Sequence, residues 1–298
     1  VLDPQLVFAD CTEGVITKVK YNLAPQNSVD LAVNFVFDEV YGEAIVRKGL
    51  TLVGSRVIGA NYDCQGIFNF ITTDEAVNKL VSVFNGSILY FDGVNWTTSR
   101  SGDNSSLKAR FAAFLDTVVR VNGTDSHVAS SNGTTWSTTS SALDLGNMPV
   151  GKFVTVYKDQ MIIAGNDARP DSLFISSVPN AAGTAISWTT GDREIVINPE
   201  DGQNITGLGK VSGLLAVFKE RSMYTWNNRS TEADSIVEIG CTSQESVVNC
   251  GEGTLAFFNP KGIWLTTGSQ PVRISRRVQE WIDGMSASYY TEVSAAGD

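Results

Sequence analysis

The sequence predicts an all-β chain folded as a β-propeller of about five to seven blades. Three observations carry that prediction: short alternating apolar runs, Asn-Gly turns between them, and a repeat of the whole pattern. The clearest stretch runs from Phe111 to Trp136, FAAFLDTVVRVNGTDSHVASSNGTTW. FAAFL alternates two faces, Asp116 opens a tight turn, and TVVRV returns. Asn122-Gly123 turns the chain again, HVASS runs out, and Asn132-Gly133 leads to Trp136. Asn-Gly between β-branched runs is a strong short hairpin signal, because a type I′ turn needs positive φ at both central residues. A period of two over about five residues argues strand and not helix.

The neighbours repeat this stretch. VSVFNGSILYFDGVNWTTS (81–99) has Asn85-Gly86, Asp92-Gly93 and Trp96 in the same order. FVTVYKDQMIIAGN (153–166) repeats the first hairpin, with Asp159 near its turn and Trp188 further on. LLAVFKERSMYTWN (214–227) ends on Trp226, and TLAFFNPKGIWLTTG (254–268) contains Trp264. A period of roughly 40–50 residues with several strands per unit is a blade signature. The runs FVTVY, LLAVF and TLAFF are nearly apolar on both faces, as strands covered by a neighbouring blade on each side must be. Trp96, Trp136, Trp188, Trp226 and Trp264 are therefore expected at related places in successive blades.

The two ends depart from the repeat. Residues 1–60 read as an N-terminal arm that becomes a β-hairpin, with LAVNFVFDEV and AIVRKG on either side of Tyr41-Gly42-Glu43. Residues 61–298 form the propeller domain, beginning at Cys64 with GIFNFITTD. A short helix is expected near 275–285, with Ser275 as N-cap and Val278, Ile282, Met285 and Trp281 on its packed side. SYYTEVSAAGD then resumes strand character, so the last blade is expected to be incomplete at residue 298.

Composition narrows the function. The 298 residues are 42% hydrophobic and 18% charged, with a net charge of −10 that disfavours general affinity for phosphate backbones. No apolar run approaches the about eighteen residues of a membrane-spanning helix. His127 is the only histidine, so a catalytic triad or a His-His metal site has little to build on, and its turn NGTDSH suggests a solvated loop residue. Asp92, Asp116, Asp159 and Asp201 occupy turn positions, where an aspartate caps its own turn. Arg100, Arg110, Arg120 and Arg169 are not brought together by their spacing, as a sialidase-like site would need. Asp92-Gly93-x-x-Trp96 and Asn132-Gly133-x-x-Trp136 resemble a degenerate Asp-box, a structural turn. Asp201-Gly202-Gln203-Asn204 lacks the alternating carboxylates of a calcium loop. Cys11, Cys64, Cys241 and Cys250 have no zinc spacing and read as buried thiols, with a Cys241–Cys250 bridge as the alternative. No catalytic, cofactor-binding or metal residue is predicted, and the chain is expected not to be an enzyme.

Several stretches in order look like a known family. They are ITKVKYNLAPQNSVDLAVNFVFDE with VRKGL, LKARFAAFLDTVVRVNGTD, LDLGNMPVGKFVTVYKDQMIIAG, PDSLFISS, EDGQNITGLGKVSGLLAVFKERSMYTW, GCTSQESVVNCGEGTLAFF and RISRRVQEWID. Over about residues 15–298 the chain resembles tailed-phage virion proteins with a β-propeller, including the tail nozzle or tail-tube proteins of short-tailed phages. The resemblance implies a structural role in the virion tail, as one copy in a ring, sixfold for a nozzle, around the DNA channel. It implies neighbouring tail or connector proteins as partners, genomic DNA that passes without specific binding, and a further segment beyond residue 298. It supplies no active-site residues. The other readings are a carbohydrate-binding or glycoside-active propeller, and a host-receptor-binding tail component with specificity in its Ser/Thr-rich loops.

Overall fold

A computed structural model of the chain describes residues 63–230 and 233–296, with four short strands upstream. These are β1 (Gly14–Val15), β2 (Ser28–Val29), β3 (Phe35–Phe37) and β4 (Ala44–Val46). β1 pairs with β2 in parallel, and β3 with β4 antiparallel on either side of Tyr41-Gly42-Glu43. The rest of the expected arm, Cys11 included, lies outside the described residues.

From Cys64 onward the chain is an up-and-down series of antiparallel sheets, one three-stranded and four four-stranded. The first holds β5 (Cys64–Ile71), β6 (Asn78–Phe84), β7 (Ser87–Phe91) and β8 (Trp96–Arg100). The second holds β9 (Arg110–Phe114), β10 (Thr117–Val121) and β11 (Val128–Ser130), and an isolated bridge from Ala129 to Ser137 stands where a fourth strand would run. The third holds β12 (Phe153–Tyr157), β13 (Gln160–Ala164), β14 (Ser172–Ile175) and β15 (Arg193–Val196). The fourth holds β16 (Ile205–Val211), β17 (Leu214–Lys219), β18 (Met223–Trp226) and β19 (Asp234–Val237). The fifth holds β20 (Val248–Asn249), β21 (Leu255–Asn259), β22 (Gly262–Thr266) and β23 (Val272–Arg273). Strands are ordered sequentially within every sheet, and the first strands of successive sheets lie side by side: β5 by β9, β9 by β12, β12 by β16, β16 by β20. This is the blade architecture of a β-propeller, with five blades among the described residues.

Burial explains the apolar runs and corrects their alignment. The second strands β10, β13 and β21 are buried at every position, and β17 at all but its first, since a sheet covers each face. β12, by contrast, is only half-buried through its middle residues, because a first strand has one edge at the axis. FVTVY is thus a first strand, whereas LLAVF and TLAFF are second strands. The sequence repeat slips by one strand between blades, since any two adjacent strands make a similar hairpin. First strands are also poorly marked by hydrophobicity. β5 and β16 carry glycines where backbones approach, and a Cβ on Gly66 would lie 2.1 Å from the Ala109 carbonyl oxygen.

The turns follow the same logic. Asn85-Gly86 has positive φ at both residues, 47° and 68°, as a type I′ turn requires. Leu115-Asp116, Lys158-Asp159 and Ser212-Gly213 take the same conformation without an Asn-Gly signal. At Asn122-Gly123 and Asn132-Gly133 only the glycine has positive φ. There the asparagine Oδ1 accepts backbone N–H bonds two and three residues ahead, from Thr124 and Asp125 and from Thr134 and Thr135. Asp92 does the same for Val94 and Asn95, so the two Asp-box-like turns share one geometry.

Four apolar clusters fill the spaces between successive sheets, and each receives one tryptophan. Trp136 lies between sheets one and two, Trp188 between two and three, Trp226 between three and four, and Trp264 between four and five. Their strand positions differ, contrary to expectation. Trp136 and Trp188 lie near the fourth-strand position, while Trp226 and Trp264 belong to third strands. Trp96 stands apart, half-buried at the start of β8 with its ring 5.6 Å from Phe91. What repeats is the space to be filled.

The C-terminal segment also departs from expectation. A 3-10 turn over Ser275–Val278 leads into the five-residue helix α1 (Gln279–Asp283). Ser275 begins the turn and is not its cap; its Oγ donates to Gln279 Oε1 at 2.8 Å and accepts from Ile263 N at 3.1 Å. Gln279 and Ile282 are buried, whereas Trp281 is 53% exposed. SYYTEVSAA is not a strand: Ala287–Tyr289 is a 3-10 turn, and the following residues cross the molecule until Ala295 N donates to the Glu245 carbonyl.

Candidate functional site

The first strands of the first three blades border a depression of about 620 Å³, which is lined from β5, β9 and β12, from the 3-10 turn Gln244–Ser246 before β20, and from the C-terminal segment. Its chemistry is ionic. Arg110 on β9 places Nη2 2.6 Å from Glu245 Oε1, donates from Nη1 to the Lys152 carbonyl, and lies 4.7 Å over the Phe153 ring. Lys108 reaches Glu245 at 3.4 Å, Glu292 at 3.3 Å and the Thr291 carbonyl at 2.8 Å. Burial pushes the Glu245 carboxyl up, but Arg110 and then Lys108 outweigh it and hold the group below its ordinary value. Burial lowers the Arg110 guanidinium, and the charge of Glu245 opposes it. The network ties the second blade to the fifth and straps the C-terminal segment across the depression.

A second ionic centre lies between the third and fourth blades. Lys219, with its side chain fully buried at the end of β17, donates to Asp171 Oδ1 at 2.9 Å, Asp201 Oδ1 at 2.8 Å and the Asn198 carbonyl at 3.0 Å. The Tyr224 hydroxyl donates to Asp201 Oδ2 at 3.3 Å and accepts from Asn198 Nδ2 at 3.0 Å. All three ammonium protons are used, the arrangement a buried lysine needs. Asp201 accepts from Gln203 N, as a turn aspartate does, and is a counter-ion as well. Lys219 sits in the sequence as an ordinary charged residue after an apolar run, so nothing local marked it.

A third centre joins two of the arginines expected to stand apart. Arg120, fully buried on β10, is ion-paired with Asp103, and Arg100 Nε lies 3.8 Å from the same carboxylate. Asp125 beside them accepts from Asn104 N and Asn122 Nδ2. Burial raises the Asp125 carboxyl, but these two bonds, with Arg120 and Arg100, bring it below its ordinary value. The arginines converge on the protein's own carboxylates inside the fold, which is not the open pocket a bound acid would need. Arg169 instead pairs with Glu194 and stacks over Phe174, and Arg110 belongs to the axial network.

The remaining sequence candidates are distributed. His127 is buried, 5% exposed, and not a solvated loop residue, because the loop folds beneath Pro149, whose carbonyl lies 3.0 Å from Nε2. Burial lowers its pKa, opposed by the Pro149 carbonyl. Asp116 caps no turn of its own; its Oδ1 accepts from the backbone and hydroxyl of Thr73 on the first blade. Asp159 occupies a positive-φ turn position. Cys241 is a buried free thiol raised by burial, whereas Cys64 and Cys250 are exposed and free, so Cys241 and Cys250 are not bridged. Among the described residues no three His, Cys, Asp or Glu side chains are grouped to hold a metal ion, and no helix is long and apolar enough to cross a membrane.

No family model matches the chain, and no curated protein matches it. Among solved structures it is similar to the BT4673 extracellular domain from B. thetaiotaomicron, at 11% identity and TM-score 0.45 over 72% of this chain and 28% of that one. It is similar to YCF48 from Cyanidioschyzon merolae at 10% identity and TM-score 0.43, over 71% of each chain. It is also similar to BBS1N, solved in complex with ARL6DN, at 13% identity and TM-score 0.47, over 72% of this chain and 70% of that one.

Proposed function

We propose that this propeller is a structural protein of a tailed-phage particle, a tail nozzle or tube component that forms a ring around the DNA channel and has no enzymatic activity of its own. The observation that carries the reading is the ordered series of stretches resembling those virion proteins, and the work their residues do here. In NGTD, Asn122 folds its turn onto Asp125. In FKERS, Lys219 anchors the buried triad. In ISRRVQEW, Ser275 and Gln279 fasten the C-terminal turn to β22 and the Lys261 carbonyl. Such residues build an architecture and present no reactive group, as a particle component requires. A net charge of −10 suits a wall past which DNA slides, since like charges repel across about 8–10 Å at physiological salt.

Light scattering of the purified chain at micromolar concentration tests the ring, and antibody labelling of particles from phage lysates tests the location. The expected outcome is a closed oligomer of about six copies, with label on the tail. A monodisperse monomer with unlabelled particles rejects the assignment.

A further inference from the structure

We propose that the β3–β4 hairpin seats on the outward face of the first blade, as part of a sixth sheet standing between the first blade and the fifth. Five blades in series make four interfaces, and the four apolar clusters fill them. A closed ring has as many interfaces as blades, so two faces are left over here, one on the first sheet and one on the fifth. Among the described residues the run of neighbouring first strands goes from β5 to β20 and does not return to β5. Exposed large apolar side chains gather at these two ends: Ile67, Ile71 and Val94 on the first blade, Val272 and Ile274 on the fifth.

Leu89 requires an occupant on the first of these faces. Ile67, Ser82, Leu89 and Thr98 form one row across the sheet, on the side away from Phe68 and Val81, which pack toward the second blade. Leu89 is 1% exposed and belongs to none of the four clusters. Its row neighbours, a serine and a threonine, are too short to close over it, so its cover comes from outside its own sheet. Chain order selects the hairpin as that cover. Each blade follows its predecessor around the axis in sequence, so the unit before β5 falls beside the first blade, the place that a closed ring also puts after the fifth. That unit is β3–β4, an antiparallel pair with the apolar sequences FVF and AIV, like the buried second strands of the blades. Residues 47–63 join it to β5, a length that easily reaches a sheet stacked about 10 Å away. A second copy of the chain also offers apolar surface, but a tethered hairpin acts at an effective concentration of about millimolar, above that of a free copy. Nothing in this depends on the tail assignment, because the contact lies within one chain.

The test is amide hydrogen exchange and lysine crosslinking on the full 298-residue chain, the crosslinking done on a mixture of isotopically light and heavy protein. A two-stranded hairpin alone is marginally stable in water, so undocked its amides exchange within about tenfold of an unfolded chain, whereas docking slows them about a hundredfold or more. The expected result is slow exchange over Phe35–Phe37 and Ala44–Val46. Lys48, just after β4, is expected to link to Lys79 of the first blade or Lys261 of the fifth, within one copy, and not to Lys158 of the third. Leu89→Ala is expected to speed the hairpin's exchange about tenfold while the amides of β13 keep their protection. Where Leu89→Ala loosens β13 as well, the wild-type exchange and crosslinks decide the matter. Hairpin amides that exchange as in an unfolded chain, exchange indifferent to Leu89→Ala, or links from Lys48 to Lys158 would overturn the proposal. Links formed only between light and heavy copies would overturn it too, in favour of a second copy on that face.

Discussion

Lys219 shows what a single charged side chain does in this fold. An ammonium removed from water is tolerated only because two carboxylates and a carbonyl replace its hydration. Lys219→Met should therefore cost about 3–5 kcal/mol, since it leaves Asp171 and Asp201 facing each other without their shared cation. Arg169→Ala, which breaks a pair whose arginine is 59% exposed, should cost about 1 kcal/mol or less. Urea unfolding of the two variants checks the contrast, and equal losses would show that the buried triad contributes little. His127 and Arg120 carry the same point. His127 sits in a polar turn expected to be solvated, and Arg120 in a run whose spacing brought it no partner, yet both are buried, against Pro149 and Asp103.

At the scale of the element, hairpins were legible and their rank within a blade was not. Asn85-Gly86 declares itself because only a few residues tolerate the left-handed conformation, whereas Leu115 and Lys158 adopt it under the pull of the strands they join. The tryptophans divide similarly. Trp136 fills the space between two sheets at 8% exposure with its ring 6.1 Å from Phe111, so Trp136→Ala should cost about 3–5 kcal/mol. Trp96→Ala, at a half-buried position, should cost less than half of that. Thermal or urea unfolding of both variants distinguishes an inter-blade tryptophan from a strand-end one. Similar losses would mean that burial between blades is not what these residues contribute.

For the whole molecule, stability is linked to pH through groups whose proton affinity is lowered on folding. His127 is held neutral by burial, so its contribution is complete above its ordinary value of 6.5 and is lost as the pH falls through its lower folded value. Glu245 and Asp125 are likewise depressed, from ordinary values of 4.5 and 3.8, and their contributions are lost only at more acid pH. The urea midpoint should thus be level between about pH 7 and pH 8 and decline in two stages below that range. His127→Asn should flatten the first stage and Glu245→Gln the second. A midpoint unchanged between about pH 7 and pH 3 would contradict both assignments. The second stage also reports on the axial network, because Glu245 joins the second and fifth blades there.

The sequence by itself determined the class of fold and its punctuation. Alternation with period two, turn residues that accept positive φ and recurrent tryptophans are all local properties, and local sterics and hydrophobicity dictate them. The tertiary structure alone decided which strand of each blade is innermost, which charges are internal, and where the concave surfaces lie. Lys219 reaches Asp171 across 48 residues, and Arg110 reaches Glu245 across 135. Separations of that kind leave no trace in spacing, because these two pairs and the concave surfaces form between blades. The same reason governs the depression bordered by the first three blades. Its walls come from β5, β9 and β12, the turn before β20 and the C-terminal segment, each unremarkable until the sheets bring them together.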